Sequence, residues 1–218
     1  MMNHAGMMND AEHSLIVGMR KLWSDHIIWT RCYIISAMAG PHGITDVAEH
    51  LPLGESGATV TNTAQAALKA VPMSDADAAA ARLLKNQEDI GNAIVPFYGK
   101  DAGTALTNLL KQHITIAVEL IAAAKDQDQA RFEKEDQRWS ANVAEIASFL
   151  SGANPNWTRK DLLDLLNLHL SLTKGEVVAR LNKDWNADVK AFDDIFTEIN
   201  TVADTLSAGI IKQFPQKF

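Results

Sequence analysis

The sequence predicts an all-α helical bundle, and three observations predict it. Apolar residues recur at three- and four-residue steps over most of the 218 residues, which is the period of an amphipathic helix. Alternating β-branched runs are missing, and glycines and prolines fall between helical periods, not at hairpin spacing. One helical phrase with a histidine inside its apolar stripe occurs at Leu109–Ala117, again at Leu165–Thr173, and more loosely at Leu22–Thr30. The expected architecture is about six helices arranged as three antiparallel hairpins with a 56-residue repeat.

The elements follow in order. Residues 1–10 read as a flexible N-terminal tail; its Met1, Met2, His4, Met7 and Met8 form a soft-metal-like cluster, although short tails of this kind are usually disordered. From about Glu12 to Ala39, Leu15, Met19, Leu22, Trp23, His26, Trp29, Tyr33 and Ala37 share one stripe, and Gly40-Pro41 stops the helix. Residues 40–73, with scattered glycine, threonine and proline, read as a long loop insertion holding one short helix near Thr63–Lys69. Ser74-Asp75-Ala76-Asp77 caps a helix expected to end near Ile94, before Pro96. Asp101 opens a helix that carries His113 and ends near Lys125. A charged segment, Asp126–Gln137, leads into a helix through Trp139 and Leu150, which breaks at Gly152–Asn156. Thr158 with Asp161 has capping spacing and starts the His169 helix. The last helix runs from about Asn182 to Ile211. The domain is thus 11–212, with 213–218 as a C-terminal tail.

Composition excludes several function classes. A net charge of −7 with no basic stripe argues against a nucleic-acid binder. No apolar run approaches the ~20 residues that span a bilayer, so no membrane partner is expected. The N-terminus lacks a signal-peptide pattern, and the single cysteine, Cys32, permits no internal disulfide. A soluble, cytoplasmic protein is expected. Nucleotide-cradling loops and a G-x-S-x-G elbow are absent from the sequence.

The repeat supplies the candidate site. At an offset of 56, Arg82, Asn86, Ile90, Leu106, Leu109, Leu110 and His113 match Arg138, Asn142, Ile146, Leu162, Leu165, Leu166 and His169. The same step carries Asn142 to Glu198. His113 precedes Asn142 by as many residues as His169 precedes Glu198, and the 40–73 insertion lengthens the span from His26 to Asn86. Each histidine should therefore meet its partner at mid-height on an adjacent antiparallel helix. Buried imidazoles need partners. A metal layer of His26, His113, His169 and Glu198, holding Zn, Fe or Mn, meets that need, with Asn86, Asn142, Asp89 and Glu145 orienting the ligands. The alternatives are a structural layer of hydrogen-bonded histidines in a non-enzymatic interaction protein, and a small-ligand pocket. A homo-oligomer and a small-molecule ligand stay open as partners. Arg31 reads as a snorkelling side chain, and Glu119 and Glu176 as unrelated acids. The five tryptophans read as core and turn packing.

The L-W-x-x-H-x-x-W-T-R segment at Leu22–Arg31, the N-x-x-D-I-G-N segment at Asn86–Asn92 and the terminal K-Q-F-P-Q-K-F resemble a family of bacterial helical proteins without an established activity. The likeness covers the chain except residues 40–73. It implies the helical fold and transfers no mechanism; the transferase and amino-acid-kinase labels some members carry find no phosphate cradle here.

Overall fold

The computed structural model describes residues 9–39 and 74–218. These form five helices: α1 Asp10–Met38, α2 Asp75–Lys125, α3 Gln129–Ala153, α4 Arg159–Leu181 and α5 Trp185–Gln213. No strand occurs among the described residues. The short helix expected near Thr63–Lys69 and the N-terminal methionine cluster lie outside them.

Each helix begins where a side chain can satisfy its first free N–H groups. Asn9 and Ser74 make full capping boxes with Glu12 and Asp77. Asp128, Thr158 and Asp184 accept from the backbone N–H groups of Arg131, Asp161 and Ala187. The turns into α3 and α5 have the same geometry. Gln127 and Lys183 take left-handed backbone (φ 57° and 56°), and the N–H groups of Asp128 and Asp184 reach back to the carbonyls of Ala123 and Ala179. This is the Schellman ending with a side-chain-bearing residue where glycine is usual. It places the start of α3 at Gln129, inside the charged segment, and the start of α5 at Trp185.

The expected stop before Pro96 does not occur. The helix carries Pro96 in its last turn, where few ladder bonds are lost, and breaks at Gly99 (φ 85°, ψ 169°). There α2 folds back on itself. A Cβ on Gly91 would lie 2.6 Å from the carbonyl oxygen of Gly103, so these two glycines let the arms touch backbone to backbone. Lys111 bonds Glu88 across the same seam. The sequence predicts these arms as separate helices, hence about six, where the described residues form five.

Packing runs in a closed ring: α1 lies against α2 and α5, α2 against α3, α3 against α4, and α4 against α5. The main core reaches both sides of mid-height, from Met19 and Trp23 through Leu106, Leu110, Ile146, Leu162, Leu166, Val202 and Leu206 to Ala117, Leu120 and Trp139. Burying so many large apolar side chains is the main stabilising term. A second cluster, Ile34, Ile121 and Val177, lies beyond it. The terminal residues are not a free tail: Phe218 stacks on Phe97 at 5.7 Å, and Phe214 meets Tyr98 edge-on at 5.2 Å.

Candidate three-histidine centre

His26, His113 and His169 sit at mid-height on α1, the second arm of α2, and α4. All three are buried, and their rings form a near-equilateral triangle with centroids 5.6, 6.2 and 6.4 Å apart. The helical period builds the rest of the stack. Four residues beyond each histidine come Thr30, Ala117 and Thr173, which line one cavity with all three imidazoles. Eight residues beyond come Ile34, Ile121 and Val177, the apolar plug above that cavity. On the opposite side Trp23 and Leu166 border a wholly apolar void of about 10 Å³.

Each imidazole is held through Nδ1 by the next helix segment. His113 bonds Asn142 Oδ1 at 3.0 Å and His169 bonds Glu198 Oε2 at 3.0 Å, both across 29 residues. His26 bonds Gln87 Oε1 at 3.3 Å, not Asn86. Asn86 lies one step behind: its Nδ2 donates to Leu22 O at 3.0 Å, and its Oδ1 accepts from Gln87 Nε2 at 3.1 Å. Asn142 Nδ2 makes the matching bond to Leu109 O, so Asn86 and Asn142 grip the carbonyl four residues before their histidine in the same way. Gln87 takes over the imidazole contact because it follows Asn86 directly and its longer side chain spans the gap; nothing in the 56-residue alignment points to it.

These bonds fix the tautomers. Leu109 O can only accept, so Asn142 turns its NH₂ to Leu109 and its oxygen to His113. That oxygen also only accepts, so His113 Nδ1 carries the proton and donates. Gln87 is fixed likewise, since its Nε2 donates to Leu83 O at 2.8 Å. Burial, then the neighbouring histidines, holds His26 well below the usual histidine range, and burial followed by His169 lowers His113 to about 3. With Nδ1 protonated and the ring neutral, Nε2 of His26 and of His113 presents a bare lone pair. Among the described residues, no hydrogen bond reaches Nε2 of any of the three.

The cavity beside them measures about 20 Å³. On that measure a water needs ~10–15 Å³, so there is room for one water-sized occupant. The Thr30 and Thr173 hydroxyls already donate to the carbonyls of His26 and His169, leaving acceptor oxygens to the cavity. Trp139, packed on His113 with centroids 5.1 Å apart, also lines it, and its buried indole N–H has no partner. Glu198 Oε1 is likewise buried without a partner.

Several expected members lie elsewhere. Asp89 is half-exposed on the outer face with Lys85, and Glu145 is exposed. Glu198 orients His169 instead of standing beside the three rings. Arg31 is not a snorkelling side chain: it bonds Glu176 and Asp188, over the ring of Phe192, while Arg180 bonds the other side of Asp188. Burial, partly offset by Arg31, raises Glu176 to about 6. Asp188 stays below its ordinary range because its bonds to Arg31 and Arg180 outweigh burial. This network ties α1, α4 and α5 together beyond the plug. Of the tryptophans, Trp23, Trp139 and Trp157 are core, whereas Trp185 is exposed.

Among the described residues, no group of three or more His, Cys, Asp or Glu side chains stands at metal-holding distance. Three imidazoles bound radially to one zinc ion would have centroids about 5.2–5.5 Å apart. The His26–His169 side, at 5.6 Å, is close to that range, whereas the sides to His113, at 6.2 and 6.4 Å, are wider by about 1 Å. No described helix is long and apolar enough to cross a membrane. Comparison with protein-family models, with curated proteins and with solved structures gives no match.

Proposed function

We propose that the chain is a metal-binding helical bundle in which His26, His113 and His169 ligate one divalent ion through Nε2. One observation carries the reading: three buried imidazoles line a shared cavity with each Nδ1 committed to a partner on the next helix segment, and two of them, His26 and His113, are held neutral by burial. A cation that accepts the Nε2 lone pairs of such a layer would satisfy buried groups that otherwise have no partner. Zinc, iron or manganese suits three imidazoles with an oxygen-bearing position left open. Gln87, Asn142 and Glu198 then play the part of oriented hydrogen-bond partners that hold ligand histidines in one tautomer. Glu198, the only carboxylate among them, balances part of the ion's charge from behind His169. The layer is read as three copies of a His-helix and partner-helix unit at a 56-residue spacing, supported by the matched Asn86 and Asn142 bonds and the matched Gln127 and Lys183 turns. A cavity beside the ion makes room for chemistry; the reaction is not specified by these residues.

The second reading is a structural polar layer, favoured by the triangle being wider than a ligand set. The two separate cleanly. Protein purified without affinity tag or chelator should hold near-stoichiometric metal by elemental analysis, or take it up on titration with Zn²⁺, Mn²⁺ or Fe²⁺. The His169→Ala variant should lose that metal while keeping its far-UV helicity. A native protein that neither contains nor takes up metal leaves the structural layer as the answer.

A further inference from the structure

We infer that, in the metal-free protein, the cavity beside the histidine layer is a binding site for ammonium, held by hydrogen bonds to Nε2 of His26 and of His113 and to the hydroxyl oxygens of Thr30 and Thr173. The inference does not rest on the metal reading above, since ammonium and a metal ion compete for the same lone pairs.

The residues that line the cavity supply the chemistry. Thr30 and Thr173 donate their hydroxyl protons to the carbonyls of His26 and His169, so each oxygen is left with lone pairs only. His26 and His113 commit Nδ1–H to the amide oxygens of Gln87 and Asn142. Among the described residues neither ring bonds a carboxylate, and a buried imidazolium without one is costly, so Nε2 accepts. Two rings and two hydroxyls thus bring four acceptors to one space of about 20 Å³, room for one water-sized occupant. Ammonium has that size and donates four hydrogen bonds, whereas water donates two and turns its own lone pairs on the remaining acceptors. Glu198, bonded to His169 with its second oxygen unpartnered, sets a buried carboxylate behind the layer, which favours a cationic occupant.

The spacing of the rings fits a hydrogen bond better than a coordinate bond. A donor nitrogen sits about 2.9 Å from its acceptor, against about 2.1 Å for a metal ion and an imidazole nitrogen. Two imidazoles that share one such donor at the tetrahedral angle have centroids about 6.5 Å apart. The centroids of His26 and His113 are 6.4 Å apart. Potassium is nearly the size of ammonium but donates nothing, and its usual ligands are oxygens, so imidazole nitrogens tell the two apart. Methylammonium carries one methyl group more than a water-sized space holds.

The experiment compares thermal unfolding of the chelator-treated protein in ammonium, potassium and methylammonium chlorides at equal concentration, and records proton–nitrogen spectra with ¹⁵N-ammonium. Ammonium alone should raise Tm, and a bound ¹⁵N-ammonium signal should stand apart from that of the free ion. Thr173→Val and, independently, Thr30→Val keep the side-chain shape and remove one acceptor. Each should weaken the ammonium affinity read from the Tm titration about tenfold, the size of one lost hydrogen bond to a charged group. Thr115→Val is the control: Thr115 bonds its own helix in the same way, at Lys111 O, but is exposed and does not line the cavity, so its ammonium response should match that of the unsubstituted protein. Equal stabilisation by potassium, or the absence of both the Tm response and the bound signal, overturns the inference and leaves the metal reading untouched. An equal response to methylammonium, undiminished affinity in both lining variants, or an equal loss in Thr115→Val overturns the placement in this cavity.

Discussion

Asn142 makes two bonds that no other residue replaces, one to His113 Nδ1 and one to Leu109 O. Its truncation to alanine leaves a buried donor and a buried carbonyl unmet, so a loss of about 2–4 kcal/mol is expected in urea-induced unfolding. Glu198 is different because it has only one of those two bonds, and its Oε1 has no partner. Glu198→Gln keeps the acceptor for His169 and puts an NH₂ where a carboxylate oxygen stood. The metal-free protein should then remain folded, while metal affinity falls about 10–100-fold through loss of the charge behind the ligand. Isothermal titration of both proteins with Zn²⁺ measures this; unchanged affinity would show that the charge does not act through His169. The histidines also set a pH dependence. His113 is lowered to about 3, and His26 well below its ordinary value, so below pH ~6.5 the unfolded chain takes up protons that the folded one refuses. Stability of the metal-free protein is therefore full above that pH and falls as the pH drops toward 3. Unfolding midpoints measured across that interval should decline steadily.

Among the helices, two features decide how the chain turns. At Gly91 and Gly103 the arms of α2 meet so closely that a methyl group on Gly91 would sit 2.0 Å from Thr107 Oγ1 and 2.6 Å from a backbone carbonyl. The hydroxyl can rotate away, but the carbonyl cannot, so Gly91→Ala should cost about 1–3 kcal/mol or more through forced separation of the arms. Because Gln87 and Glu88 sit one turn away, the same variant should also loosen the grip on His26. The turns at Gln127 and Lys183 carry the opposite expectation. Both hold a side chain at positive φ, a conformation glycine adopts without the Cβ clash. Gln127→Gly and Lys183→Gly should each stabilise the protein by about 0.5–1 kcal/mol in thermal unfolding, despite glycine's greater freedom in the unfolded chain. A destabilising result at both would mean that their side chains contribute packing that outweighs the strain.

For the whole molecule, the proposed metal binding is read as a change in stability. An ion that binds only the folded chain adds RT ln(1 + [L]/Kd), about 2.7 kcal/mol at a hundredfold excess over Kd. For a chain of this size that raises Tm by about 5–10 °C. Scanning calorimetry with and without Zn²⁺ should show that shift, and His169→Ala should abolish it. The ring of helices makes the histidine layer a feature of the whole bundle. The three imidazoles come from α1, α2 and α4, and their partners from α2, α3 and α5, so every helix supplies either an imidazole or the group that orients one. The Arg31, Glu176, Asp188 and Arg180 network, placed beyond the Ile34, Ile121 and Val177 plug, pins α1 to α4 and α5 at the far end.

The helical class, the mid-height placement of the three histidines, and the pairing of His113 with Asn142 and His169 with Glu198 were readable from spacing alone. A 3.6-residue period and a fixed interval between antiparallel segments leave side chains little choice of level. Tertiary structure decided what spacing cannot express. Gln87 displaces Asn86 at His26 because adjacent residues on a helix differ by about 100° in direction, and which of them faces the imidazole depends on how the first arm of α2 rotates against α1. Asp89 and Glu145 turn outward for the same reason of helix phase. The sharp hairpin at Gly99, in place of an earlier stop at Pro96, depends on Gly91 and Gly103 being able to touch, a contact that exists only after the arms fold back. Likewise only the packed bundle leaves the indole N–H groups of Trp23 and Trp139 buried without partners on opposite sides of the histidine layer.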